Sequence, residues 1–468
     1  MLLYLLYLHI VKLQIVNFIS TVITHAYLKL ILIDYYNFTY YNSYIKLTEV
    51  YMKNIAIIAE YNPFHNGHLY HLNKSIEMTN ATHSIVLMSG NFLQRGVPAM
   101  WDKYTRAKMA TSSGVDLAIE LPFPYATGSA KDFASGAIAI LDSLNSIDFL
   151  CFGAETDDIT LLTRIADIIN SETDSYKNGL SDALSSGMSF PEARAHALNL
   201  CFTSKDQDLT SIINQPNNIL AIEYIAALRR INSNIKPIIV KRHGAMYHDS
   251  TLYGSISSAS AIRSDIQCGS FAFDNIRADI PEAVAKLIEA CYMSTWPITS
   301  EELSPFLQQQ LLNPVNYGAI CDISEDLANK LRKLSPVTSY QDAIATLSSK
   351  DLTTTRIYRS LIHLIMDYKE ADRDAFIASG YALYGNILSF RKDSSQLIKQ
   401  INNNSLIPLI TKKADFEKCF TGYDNISMNI ADIMWSYDIK ATLLYNCLIY
   451  NRYKTIVPND YNIQIPII

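Results

Sequence analysis

The sequence predicts an α/β protein, a parallel sheet covered by helices on both faces and followed by a mainly helical C-terminal region. Three observations predict it. From Met52 onward, short apolar runs of strand length alternate with segments of helical spacing, the pattern of strands buried on both sides. Beyond about residue 280 the strand-like runs give way to PEAVAKLIEACY, SEDLANKLRKL and TTTRIYRSLIHLIM, which carry helical periodicity. With 468 residues, 49% hydrophobic and 18% charged, the chain has the composition of a folded protein with a sizeable core rather than a disordered one.

The elements follow in order. NIAIIA (54–59) is a buried-strand run, and 69–78 is helical, with Leu69, Leu72 and Ile76 on one side. SIVLMS (84–89) is the second strand and 100–114 a helix closed by Gly114. VDLAIEL (115–121) is the third strand, and 129–144 is a helix with Phe133, Ala137 and Ile140 aligned. IDFLCFG (147–153) is the fourth strand, helices continue to about 230, and IKPIIVKR (235–242) is the fifth strand, after which the sheet is expected to end. The spacing thus divides the chain into 1–51, a sheet domain over 52–275, and a helical domain over 276–468.

Residues 1–51 differ from the rest. A membrane span needs about 20 predominantly apolar residues, and His9, Lys12, Gln14, Asn17 and His25 interrupt this one. MLLYLLYLHI has neither the basic start nor the small-residue cleavage site of a secretory signal. Met52 stands directly before the first strand-like run. The segment therefore reads as an upstream extension assigned in error, with a weak hydrophobic anchor as the alternative. The seven cysteines form no CxxC and no close pair with histidine, the pattern of reduced, cytoplasmic thiols with no zinc site. Net charge is −6, yet residues 330–468 carry 17 Lys+Arg against 13 Asp+Glu, a local +4. That asymmetry fits an anionic partner for the back of the chain, or ordinary surface variation. In 354–366, Ile357, Leu361, Leu364 and Ile365 form an apolar stripe, while Arg356, Arg359 and His363 fall on another face, suited to phosphates or simply solvated.

Parallel sheets bind ligands beyond the carboxyl ends of their strands, so the residues there matter most. At the first strand end, Glu60-Tyr61-Asn62-Pro63 stops the ladder, Pro63 holds Asn62 extended, and Gly67 leaves room for a close approach to the backbone. The helix that follows is expected to aim its first amides at the same space. His65 and His68 flank Gly67 there. Imidazole donors beside a helix N-terminus suit a polyphosphate whose charge grows during displacement.

His65-Asn66-Gly67-His68 matches the HxGH motif of the nucleotidylyltransferase superfamily, and ISSASAIR (256–263) stands where that superfamily carries a second, ISSTxxR-like signature. EYNPFHNGHLYHL (60–72), SGNFLQRGVPA (89–99), VDLAIELPF (115–123), PNNILAIEY (216–224) and SSASAIR (257–263) resemble more closely the bacterial tRNA(Met) cytidine acetate ligase family. LYGNILSFRKDS (383–394) and WSYDIKATLLYN (435–446) resemble it more loosely, so the likeness spans roughly residues 53–446. It implies a Rossmann-like sheet of nucleotidylyltransferase type. It also implies an enzyme that activates acetate with ATP as acetyl-adenylate and transfers the acetyl group to the wobble cytidine of elongator tRNA(Met), in the cytoplasm.

The resemblance also implies site residues. The ATP-binding stretch would be Ile58, Ala59, Glu60, Tyr61, Asn62, Pro63, Phe64, His65, Asn66, Gly67, His68, Leu69, Tyr70 and His71, with His65 and His68 catalytic on the phosphates. Gly153, Asn217 and Arg242 would contact the nucleotide; on their own they read equally as a turn glycine, a helix N-cap and a surface charge. Ser260 and Arg263 would hold phosphate, since a guanidinium and hydroxyls suit that task. Magnesium would enter with ATP, since pyrophosphate must leave, and no dedicated carboxylate cage is evident. Arg356 and Arg359 are the candidate tRNA contacts. Gln94, Arg95, Lys103, Arg106 and Lys108 either guide the RNA, hold pyrophosphate, or are solvated. Two rival readings stand beside this one: nucleotidylyl transfer to a small phosphorylated metabolite, and a noncatalytic RNA-binding or membrane-tethered scaffold.

Overall fold

In a computed structural model, the described residues are 1, 12–13, 52–202, 209–241, 257–268, 272–313, 315–349 and 352–468. The chain divides into two compact units, 1–52 and 53–468. The reading of 1–51 as an extension lies almost wholly outside the described residues. No helix among those described is long and apolar enough to cross a membrane, and all seven cysteines are free thiols.

Seven strands form one sheet in the order β5-β4-β1-β2-β3-β6-β7. Strands β1 (Asn54–Ala59), β2 (His83–Ser89), β3 (Leu117–Leu121), β4 (Phe149–Ala154) and β5 (Lys236–Lys241) run parallel. Their runs are continuously apolar because both faces are covered. Ile55, Ile57, Val86 and Met88 enter one core, and Ala56, Ile85 and Leu87 enter the other. The chain builds β2 and β3 to one side of β1, then returns to lay β4 and β5 on the other. The strand order thus reverses between β1 and β4.

Five strands were expected, and the described residues form seven. Strand β6 (Gly385–Phe390) joins β3 antiparallel, and β7 (Leu409–Ile410) pairs with β6. The C-terminal region therefore supplies the sheet's far edge as well as helices. The helices used below are α1 (Asn66–Thr79), α2 (Lys103–Ser112), α3 (Ala130–Ser143), α4 (Pro216–Arg230), α5 (Ala259–Gln267), α6 (Tyr340–Leu347), α7 (Thr354–Met366) and α8 (Asn425–Tyr453).

A buried polar cluster joins β3 and β6 to the C-terminal segment. Lys103, fully buried on α2, donates to Glu120 on β3 (2.9 Å) and to Asp460 (3.0 Å). Asn386 on β6 donates to Glu120 (2.7 Å), and Lys413 donates to Asn386 and to the Ile387 carbonyl. Burial works against the Lys103 charge, but Asp460 and Glu120 outweigh it and hold the ammonium well above its usual range. Burial and the nearby Lys103 push Lys413 down to about 8. Burial and Glu120 push Asp438 up to about 8, where it accepts from the Phe123 amide (2.7 Å) and the Tyr384 hydroxyl (2.6 Å). Lys103→Met removes the one cation shared by two buried carboxylates. It should cost about 3–5 kcal/mol of stability, read as a lowered urea midpoint with an unchanged m value.

Candidate functional site

The reversal between β1 and β4 opens a crevice at the carboxyl ends of the strands, the place where open α/β sheets hold ligands. A cleft of about 570 Å³ occupies it. Its floor is the ends of β1 (Ile57–Ala59 and the turn to Asn62), β4 (Phe152, Gly153) and β5 (Val240, Lys241).

The turn after β1 is built from inside. Tyr61 sits in the left-handed region at φ 48° and is 2% exposed, its ring edge-on to Phe64 and to His68 at 4.8 Å each. Arg106, fully buried on α2, donates to the carbonyls of Glu60 (2.5 Å), Trp101 (2.9 Å) and Gly90. Burial lowers its guanidinium from the usual range. Arg263 on α5 donates to the Asn62 carbonyl (2.7 Å) and to Ser260 Oγ (3.2 Å), and Asn62 Oδ1 accepts from the Met100 amide (2.9 Å). Arg263 thus ties the second motif to the first.

The two histidines cap α1 reciprocally. His65 Nδ1 accepts from the Gly67 amide (3.0 Å), and His68 Nδ1 accepts from the His65 amide (3.3 Å). An imidazole nitrogen that accepts carries no proton, so in neutral rings the N–H is on Nε2 of each. The rings lie 3.8 Å apart, tilted by 34°. The helix amides differ from expectation. Asn66 N bonds the Asp279 carbonyl (2.9 Å), Gly67 N bonds His65, and His68 N bonds the His65 carbonyl (2.9 Å). The first turn is satisfied within the protein, and the donors it supports are the imidazoles.

Most of the expected nucleotide residues come together. Ile58, Ala59, Glu60, Tyr61, Asn62, His65, Gly67, His68, Tyr70, His71, Gly153, Asn217, Ser260 and Arg263 all line the cleft. Four of the stretch do not. Pro63 and Phe64 are buried under the turn, Asn66 Nδ2 bonds the Ala278 carbonyl (2.9 Å), and Leu69 packs against the core. Arg242 lies outside the described residues; its neighbour Lys241 faces the cleft and pairs with Asp157 at 2.8 Å. Asn217 is not the N-cap of α4. It is the second helical residue, and the Glu155 carboxylate serves the helix start, accepting from Asn217 Nδ2 (2.6 Å) and the Asn218 amide (2.8 Å).

The basic residues of α2 are corrected most. Lys103 and Arg106 are fully buried and bonded to protein, so they are neither solvated nor open to RNA. A charge in isolation looks exposed in sequence; only the carboxylates and carbonyls packed round it reveal otherwise. Residues that sequence reasoning missed are Phe133, Tyr224, Thr299, Ser300, Gln341 and Tyr358, which close the cleft from distant helices and loops. Apart from Tyr224, which ends PNNILAIEY, no local motif marks them.

Helix α7 buries Ile357, Leu361, Leu364 and Ile365 as its spacing predicts, but His363 is buried too rather than sharing an open face with Arg356 and Arg359. His363 Nε2 bonds Thr127 Oγ1 (3.0 Å), and Nδ1 bonds the Cys321 carbonyl (3.3 Å). Arg359 pairs with Asp322 at 3.2 Å; Arg356 is half-buried. Cys321, Asp322 and His363 lie close enough to hold a metal ion. Here Arg359 already supplies the positive charge to Asp322, and His363 is engaged at both nitrogens, so the group reads as a packed polar contact. Burial pushes the His363 imidazole below its ordinary 6.5, with Asp322 opposing and Arg359 adding to the shift. Since the unfolded chain takes up this proton first, His363 should leave stability intact above pH 6.5 and lower it as pH falls below that value. Thermal melts between pH 7.5 and 5.5 should show that loss, and His363→Gln should flatten it.

Sheet order, crevice and HxGH turn together define a nucleotidyl transferase of the HIGH type. The family model described as HIGH Nucleotidyl Transferase matches residues 52–458. The tRNA(Met) cytidine acetate ligase of Acetivibrio thermocellus is 39% identical over 373 residues, 78% of this chain and 90% of that protein. The one from Halothermothrix orenii is 35% identical over 421 residues, 85% of this chain and 95% of that protein. Crystal structures of Thermotoga maritima TmcAL, apo and bound with alpha-thio ATP, superpose with TM-scores of 0.84 and 0.82 at 30% and 29% identity; each covers 89% of this chain and 100% of its own. The chain belongs to the tRNA(Met) cytidine acetate ligase family.

Proposed function

We propose that this protein acetylates the wobble cytidine of elongator tRNA(Met), using ATP and acetate. The observation that carries the reading is the pair of imidazoles, each held by a backbone amide at Nδ1, lining the crevice where the strand order reverses. The relatives' names supply the substrates, and an ATP analogue bound to the Thermotoga protein supports ATP as the activating agent.

In the first step an acetate oxygen attacks the α-phosphorus, the Pα–O–Pβ bond breaks, and pyrophosphate leaves with acetyl-adenylate remaining. In the second, N4 of cytidine attacks the acetyl carbon, the bond to AMP breaks, and N4 loses a proton. Acetate alone is too stable to acylate an aromatic amine; the mixed anhydride supplies the leaving group. The enzyme then has to position reactants and stabilise charge. We assign His65 and His68 to the polyphosphate, Arg263 and Ser260 to the same charge from the opposite wall, and Gly153, Asn217 and Arg242 to the nucleoside side. Magnesium accompanies ATP in this reading. Glu60, the one carboxylate among the described cleft residues, already accepts the Gln94 amide, so the ion takes phosphate and water ligands. The helices of 276–468 bind RNA, with Arg356 as an outward phosphate contact and Arg359 sharing its charge with Asp322. ATP and tRNA place the work in the cytoplasm.

The test gives the protein ATP, magnesium, labelled acetate and unmodified tRNA(Met), and identifies the labelled nucleoside by mass. N4-acetylcytidine that requires ATP is the expected product. His68→Ala removes one donor to developing charge and should cut acetate-dependent ATP–pyrophosphate exchange by about 10²–10³, with the circular dichroism spectrum unchanged. Exchange that ignores acetate, or survives His68→Ala, would overturn the reading.

A further inference from the structure

Resting on the proposed reaction, we infer that the far half of the cleft is the acceptor subsite, and that Tyr358 and Gln341 receive the amine-bearing pyrimidine base unstacked from its RNA loop. The lining residues fall into two chemical groups. One, the imidazoles with Arg263 and Ser260, suits phosphates. The other, Gln94, Arg95, Thr299, Ser300, Gln341 and Tyr358, brings neutral hydrogen-bonding groups, an aromatic ring and one cation, and the carboxylates beside it, Glu60, Glu301 and Glu302, accept the Gln94, Gln341 and Thr299 amides. That set matches a base with amide-like edges and a single backbone phosphate. It does not match a second polyphosphate, which would call for more positive charge. RNA loops are read in this way, by bases splayed onto aromatic rings and hydrogen-bonded along their edges.

The hydrogen-bonding capacity fits. Gln341 Oε1 accepts from the Tyr358 hydroxyl (3.3 Å), and Gln341 Nε2 donates to Ser300 Oγ (2.9 Å). A side-chain amide has two protons and two lone pairs, so these contacts orient Gln341 and still leave a proton for the carbonyl edge of a pyrimidine. The exocyclic amine is then left for the acyl carbon. The Tyr358 ring lies over Tyr340, centroids 6.0 Å apart, which backs it from one side.

One loop sets the spacing of the two halves. Residues 93–97 form a tight turn, with the Leu93 amide on the Val97 carbonyl (2.9 Å) and the Gly96 amide on the Leu93 carbonyl (2.8 Å). At its start the Gln94 amide bonds Glu60 Oε1 (2.9 Å), beside the ATP turn. At its tip Gly96, φ 78°, lies flush on α7, where an added Cβ would stand 2.4 Å from the Arg359 nitrogen and 2.6 Å from the Tyr358 carbonyl carbon. Only glycine gives both that φ and that approach. The strand end that carries the phosphate turn and the helix that carries Tyr358 are thereby held at a fixed separation, as two consecutive reactions in one cavity require.

The experiment measures both half-reactions on full-length wild type, Tyr358→Ala, Tyr358→Phe and Gln341→Ala. The first is read as acetate-dependent ATP–pyrophosphate exchange, the second as kcat and KM for acetyl transfer to tRNA. Tyr358→Ala should spare exchange and lower transfer kcat/KM about ten- to a hundredfold, the scale of one lost base–aromatic contact. Tyr358→Phe should retain most of the transfer, and Gln341→Ala should lose transfer with exchange intact. Normal transfer by both alanine variants would overturn the subsite while leaving the ligase reading in place. Loss of exchange together with transfer would overturn it too, since Tyr358 would then serve the ATP half. Wild type with neither activity would sink the proposed function, and the subsite with it.

Discussion

The site depends on one buried cation. Arg106 reaches the carbonyls that end β1 and β2 and the one at Trp101, each of which would otherwise face the interior unbonded. Strand ends in a parallel sheet present such carbonyls without partners. A planar fork with several donors can satisfy three of them at once, where an ammonium on a flexible stem could not hold the same geometry. With those backbones fixed, the tight Tyr61 turn, the cap by His65 and the seat for Gln94 all acquire defined positions. The guanidinium gives up part of its charge preference to burial, and the local structure gains a rigid platform.

The histidines then do two things at once. Each uses Nδ1 to close the start of α1 while its ring lines the cleft. Folding thereby sets the tautomer before any ligand arrives. The same covalent spacing serves both ends: three residues separate the rings along the helix, and that offset brings them within ring-contact distance.

Legibility in the sequence followed from locality. Strands β1 to β5 showed as apolar runs because both faces are buried. The HxGH turn showed because its working residues are consecutive. Strand β6 escaped because its place beside β3 depends on a partner 266 residues away, Asn386 on Glu120, and the two residues of β7 are too few to form a pattern. The wall from Thr299 to Tyr358 escaped for the same reason: each residue is ordinary on its own helix or loop, and only packing brings them to one cavity. The charges of α2 misled in the opposite sense. Lys103 and Arg106 look like surface, and composition holds no sign that carboxylates and carbonyls surround them.

The position of Asp460 has a consequence for biosynthesis. Lys103 emerges from the ribosome 357 residues before the carboxylate that completes its shell. Until then Lys103 and Glu120 form a pair whose ammonium lacks the second carboxylate that completes its hydrogen-bond shell, and water stays beside it. Strand β6 and the Asn386 amide are equally late. Co-translational collapse can therefore produce the five parallel strands but not their dry interior. Closure waits until Asp460 has been made and has reached Lys103, and a chain cut short before that residue would leave a wet, protease-sensitive sheet.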